Sequence, residues 1–361
     1  MKKLWQKSWR LALCALLLVW IFHCIFVNEA RTSSDPETWA KLSRNEQWHR
    51  GWSEGPRQLW QTLTEIKPWA LLLSVVLMGA TVFLGIVRWR MVLGVQGLNL
   101  PFSRAAEISL VAHFFNSFLL GSTGGDVMKA YYAARETHHK KTEAVVTVFV
   151  DRLIGFWAML IFAGLMMIPN GTLLFGDRIQ AVPSLVILGM LAACTVVVVL
   201  AFWGGISRGW SGARTWLRRL PKGEWLERSL DSCRRFGKER LFVLRTLAVS
   251  MLLNAVCVLQ WQVVGKGLGL EIPLITLAAV VPMVICIAAL PITPSGLGVR
   301  ENLFVMMLND PPTATPSLSL SLLAYGGSLF WSVAGGFVYL LLKDRHHLAE
   351  AELVGDKNAA E

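Results

Sequence analysis

Three pairs of opposite charges stand in stretches of this chain that are otherwise apolar: Asp126 with Lys129, Asp151 with Arg152, and Arg300 with Glu301. Lysine and arginine in apolar surroundings bind oxyanions, arginine in a planar, bidentate fork. Carboxylates beside them either pair with those cations or carry protons. A charge near a bilayer centre costs on the order of 2.5–3.5 kcal/mol on insertion scales, so such residues mark pathways or paired sites. Lys129, Arg152 and Arg300 are therefore the candidate phosphate-binding groups. Asp126, Asp151 and Glu301 are candidates for ion pairing or proton coupling.

Two of the pairs follow a break in the helical pattern. Asn116, Gly121, Gly124 and Gly125 precede Asp126, and Pro291, Pro294, Gly296 and Gly298 precede Arg300. Irregular backbone is tolerated at membrane depth only where protein or a water-filled cavity surrounds it. Corresponding breaks in two halves of a chain point to a transporter-type binding site. Asp126 is expected to cap a helix over 127–135, whose free N–H groups favour an anion, with Lys129 adding charge in the first turn. The alternative is a capped tight turn with Lys129 snorkelling to the surface. Asp151 and Arg152 are adjacent, so on a helix each needs its own partner. That partner is either a ligand or an ion-pair lock, for instance Arg152 to Asp126. Arg300 and Glu301 read as a phosphate clamp with its orienting carboxylate, or as an ion pair at the outer surface.

The elements that must position these residues are membrane helices. Of 361 residues, 54% are hydrophobic and 16% charged, against about 25% charged in a soluble domain; the mean hydropathy is +0.49. A basic start and an apolar run over 11–27 read as an uncleaved first span, making 1–27 an N-terminal anchor. Residues 28–67 form a neutral extracytoplasmic segment with Trp39, Trp48, Trp52 and Trp60, suited to an interfacial helix. Five further spans are expected at about 68–93, 144–168, 185–206, 247–267 and 317–342. The loop 207–246 carries eleven Lys/Arg against four Asp/Glu and is cytoplasmic if positive charge stays inside.

That rule decides the topology. If 105–121 crossed the bilayer completely, every later loop would invert and the basic loop would lie outside. A hairpin turning at Gly121–Gly125 keeps it inside, and 274–308 then forms a second hairpin turning at Pro291–Gly298 from the opposite face. The expected fold is an all-α integral membrane protein with about six transmembrane helices and two opposed re-entrant helical hairpins, the arrangement of an inverted repeat. The two breaks share little residue identity.

Other chemistry is excluded by what is missing. The net charge of +11 is dispersed in loops between apolar runs, and no nucleic-acid-binding signature accompanies it. Six cysteines form no Cys-x-x-Cys, so no disulfide framework or zinc site is expected. His138-His139 and His346-His347 read as solvated, and Asn170-Gly171-Thr172 matches a glycosylation pattern. No nucleophile elbow, P-loop or zinc-protease motif occurs. No metal, cofactor or catalytic residue is expected.

Several ordered motifs over about 68–345 resemble the flippase-like family, the lysylphosphatidylglycerol synthase transmembrane region. They are Arg88-Trp89-Arg90-Met91-Val92-Leu93, the break from Asn116 to Lys129, Asp151-Arg152-Leu153-Ile154-Gly155, and Pro291, Pro294, Gly296, Gly298 and Glu301 at the family's spacing. Leu120 stands where the family has proline and Lys129 where it has arginine, which keeps the charge without the fork. The resemblance implies membrane-embedded handling of a lipid with an anionic headgroup. Some relatives carry a soluble aminoacyl-transferase domain; the tail of about 19 residues here is too short for one, so no synthase is expected.

The expected function is a flippase-like transporter of a phosphate-bearing lipid, a phospholipid or a polyprenyl-phosphate carrier. The headgroup phosphate would meet Lys129, Arg152 and Arg300. A secondary transporter for a small soluble anion and a non-transporting accessory subunit of a lipid-modifying system are the alternatives. Partners would be an anionic membrane lipid and either a second copy of the chain or a lipid-modifying enzyme. The expected location is the inner membrane, multi-pass, with both termini cytoplasmic and 346–361 as a cytoplasmic tail.

Overall fold

A computed structural model of the chain describes residues 34–118, 124–137, 139–176, 178–203, 232–290, 299–308 and 314–341, with Gly296 and isolated positions between 19 and 31. The first apolar run, Gly121, Pro291, Pro294, Gly298, most of the basic loop and the C-terminal tail lie outside the described residues. Among the described residues every regular element is helical. Five helices are long and apolar enough to cross a membrane, matching the second to sixth expected spans. Most of the first expected span lies outside the described residues, so five is the count among the described residues alone.

The polar segment folds as α1 (Pro36–Lys41) and α2 (Arg44–Glu65). Each begins on a side-chain cap, because the first N–H groups of a helix have no partner within it. Asp35 accepts from the Thr38 amide at 3.1 Å. Ser43 and Glu46 form a reciprocal capping box. Trp48, Trp52 and Trp60 are exposed on α2, while Trp39 is buried.

The remaining helices are α3 (Pro68–Val95), α4 (Phe102–Phe118), α5 (Gly124–Arg135), α6 (Lys141–Met167), α7 (Gly171–Phe175), α8 (Arg178–Phe202), α9 (Arg240–Gly267), α10 (Leu274–Ala288), α11 (Val299–Leu308) and α12 (Ala314–Leu341). α8 and α9 each begin about seven residues earlier than the apolar runs suggest, since Arg178, Arg240 and Arg245 join the helices as polar ends. The chain divides into two compact units. One comprises residues 1–79, 113–125 and 257–341, the other 80–112, 126–256 and 342–361.

In the first unit, neutral polar side chains stitch apolar helices together. Gln260 on α9 donates to Ser74 Oγ on α3 at 3.1 Å and to the Ala324 carbonyl on α12 at 2.9 Å. Trp331 Nε1 donates to the Val75 carbonyl at 2.9 Å, its ring lying over Gly79 where a Cβ would meet it at 2.5 Å. Ser117 on α4 bonds Ser332 on α12, and His113 Nε2 lies 3.2 Å from the Ser328 carbonyl. Gly336 accommodates the Phe114 ring. Small residues permit this close approach where apolar lipid provides no hydrophobic drive between helices.

In the second unit, α6 packs along α8, with Trp157 Nε1 donating to Thr195 Oγ1 at 3.0 Å. A 3₁₀ turn, Ile168–Asn170, and α7 join these two helices. Asn170 is buried in this turn, and its amide donates to the Met166 carbonyl.

Candidate functional site

Two cations of the second unit, from different helices, converge on Asp151. This residue lies ten positions after the start of α6 at Lys141, about 15 Å along the axis. Half of a ~30 Å hydrocarbon core is the same distance. Arg88 from α3 donates Nε to Asp151 Oδ1 at 2.8 Å, and Lys129 from α5 donates Nζ to Oδ2 at 3.1 Å. Arg88 also donates Nη1 to Ser250 Oγ on α9 at 3.1 Å. Lys129 Nζ sits 4.2 Å from the Trp89 ring centre, a cation–π contact that strengthens with desolvation. One carboxylate thus holds two cations, and both its oxygens are used.

Gly155 explains how a guanidinium fits there. It lies one helical turn beyond Asp151 on the same face. A Cβ on it would stand 2.6 Å from Arg88 Nη1 and 2.7 Å from Nη2. The Asp-Arg-x-x-Gly spacing is thereby a socket, with the carboxylate at one end and empty space for the guanidinium at the other.

Arg152 turns the other way and meets Asp126 on α5 at 3.5 Å. This is the separate partner that adjacency on a helix requires. The Arg152 side chain is 42% exposed, against 11% for Lys129. Among the described residues the cluster joins three cations and two carboxylates, and Arg152 is its accessible cation. Lys129 is buried inside the cluster and does not snorkel.

Asp126 is not the N-cap. α5 begins at Gly124, so Asp126 sits in the first turn, where a carboxylate still complements the helix dipole. The capping contact comes from the preceding helix: Asn116 Oδ1 accepts from the Gly125 amide at 2.8 Å. Glycine at that position lets the chain continue directly into helix, while Asp126 is freed for Arg152.

The second break is held differently. Gly296 has φ +70°, the left-handed region open to glycine, and a Cβ there would lie 2.8 Å from Ala288. Its carbonyl accepts from the Arg300 amide at 2.9 Å, opening α11. Arg300 is buried. Its Nε donates to Ser321 Oγ on α12 at 3.0 Å and its guanidinium lies 4.5 Å from the Tyr325 ring centre. The Glu301 side chain lies outside the described set.

Within the second unit, Lys129, Arg152, Asp126 and Asp151 come together; Arg300, Gly296, Asn116 and Gly125 belong to the first. Arg88, Trp89, Gly155 and Ser250 were not singled out as site residues from sequence. Arg88, Trp89 and Gly155 stand in motifs that resemble the family's but carry no assigned role there, while Ser250 looks like an ordinary membrane-helix residue. A further lock, Arg104 to Glu136 at 2.7 Å with both side chains buried, ties α4 to the end of α5.

A helical, multi-pass membrane protein with a buried ion cluster is the class these features define. Residues 51–343 match the family described as lysylphosphatidylglycerol synthase TM region, and the chain belongs to that family. The match is to the family's membrane-embedded region, consistent with a flippase-like membrane domain. No curated protein matches the chain.

Proposed function

We propose that the chain moves a phosphate-bearing lipid, a phospholipid or a polyprenyl-phosphate carrier, between leaflets by passing its headgroup over the Asp126–Arg152 end of the ion cluster. The supporting observation is a cluster in which Asp151 holds two buried cations while Arg152, paired with Asp126, is the half-exposed one that a headgroup can reach. Arg88 and Lys129 anchor Asp151 and set the local field. When phosphate takes over Arg152 in bidentate geometry, Asp126 loses its cation and becomes the group that takes up a proton. Arg300, at the start of α11, is the corresponding basic group of the other unit. In this reading α4–α5 and α10–α11 are opposed re-entrant hairpins, and both termini face the cytoplasm from the inner membrane.

Proteoliposomes with fluorescent phospholipids test the mechanism. Arg152→Ala is expected to slow lipid movement with the fold retained. Unchanged movement in that variant would remove the cluster from the transport path.

A further inference from the structure

α5 carries a second feature on the face turned away from the ion cluster. Val127, Ala130 and Ala134 recur at one-turn spacing along this face, and with Val145 of α6 they wall a groove of about 530 Å³. Arg135 and Lys141 line the same groove at the loop end. Arg135 is held against the wall by Tyr131, donating Nη1 to its hydroxyl at 3.0 Å with the guanidinium 5.6 Å from the ring centre. The neighbouring acid is withdrawn, because Glu136 is buried against Arg104. The result is an apolar trough with a basic mouth.

We infer that this groove is a docking seat for one anionic phospholipid, its phosphate between Arg135 and Lys141 and an acyl chain along Val127, Ala130 and Ala134. Charge complementarity selects the occupant. A soluble phosphate would leave the exposed Val127 wall in contact with water, and a zwitterionic lipid would gain less from two cations. Juxtamembrane basic side chains contribute about 1 kcal/mol each toward anionic lipid. The basic mouth lies nine residues from Asp126 along α5, about 13 Å, so a lipid seated here waits within one headgroup movement of the cluster. The inference rests on the reading that the domain handles anionic lipid, but the seat is a separate site.

The test uses the full chain in proteoliposomes with phosphatidylglycerol bearing a photoreactive diazirine in its acyl chain. Label is expected in peptides covering 127–145. Ala134→Trp, which fills the trough, and the double change Arg135→Gln with Lys141→Gln should each reduce it by roughly tenfold or more. Arg152→Ala should keep the label while slowing transport. Equal labelling from phosphatidylcholine, or labelling indifferent to both groove variants, overturns the seat. Equal competition by soluble glycerol phosphate also overturns it, in favour of a free-phosphate site. If the variants fail to fold, preference of the unmodified protein for phosphatidylglycerol over phosphatidylcholine at these peptides decides alone. Retained label together with normal transport in Arg152→Ala would sink the proposed mechanism and leave the seat standing.

Discussion

Arg300 aside, the two units solve the problem of polar groups in apolar helices in different ways. In the first, Gln260, Ser74, Trp331, Ser117 and Ser332 satisfy one another or a backbone carbonyl. In the second, Arg88, Lys129, Asp126, Asp151 and Arg152 are charged and pair with one another. A neutral hydrogen-bonded seam fastens helices at modest cost and has no reason to attract an ion. A charged cluster is expensive to bury unless it is paired, and a half-exposed cation within it is one that a headgroup can reach. The seam fastens helices, and the cluster is the proposed site.

The sharpest way to break this contrast is at Asp151. Asp151→Asn leaves Arg88 and Lys129 facing each other without their shared carboxylate, and removing one partner of a buried pair costs about 3–5 kcal/mol. Thermal unfolding in detergent should show a large loss, and a small one would mean that water already solvates the cluster. Gly155→Ala should act through the same contact, displacing Arg88 and lowering stability by a smaller amount, with lipid movement falling alongside. Arg152→Ala should reverse the balance. Its pair with Asp126 is too exposed to be worth more than ~1 kcal/mol, yet lipid movement should fall about ten- to a hundredfold, the rate equivalent of one charge-assisted contact. In the seam, Gln260→Leu should cost on the order of 0.6–1.7 kcal/mol, the range for interhelical hydrogen bonds in membranes, and leave lipid movement unchanged.

The smallest effect is expected at the start of the polar segment. Hydrogen bonds from Thr38 hold the Asp35 carboxyl below its ordinary range, and those from Ser43 do the same for Glu46. A carboxylate whose folded-state pKa is depressed favours folding above its unfolded pKa, and the gain disappears as pH falls through the folded value. Amide exchange at the first turns of α1 and α2 should therefore quicken on acidification, while the cluster's helices stay protected.

Much of the fold was written in local pattern. Apolar runs longer than 18 residues announced five of the helices that the structure shows, because a helix is the only open-ended element that satisfies its backbone in lipid. The helix pairs flanking the two breaks followed from Gly and Pro punctuation. That Asp151 and Arg152 need partners was legible because unpaired charges in such a run are costly, and adjacency alone dictated that their partners differ. Which partners they take was settled only by tertiary packing. Arg88 and Lys129 lie 63 and 22 residues from Asp151 in sequence, and no periodicity reports a distance across helices. Nor could spacing reveal that Asn116 caps α5 in place of Asp126, or that Gly155 is the room for a guanidinium. Those depend on where neighbouring backbones come to rest, a property of the packed chain and not of any segment within it.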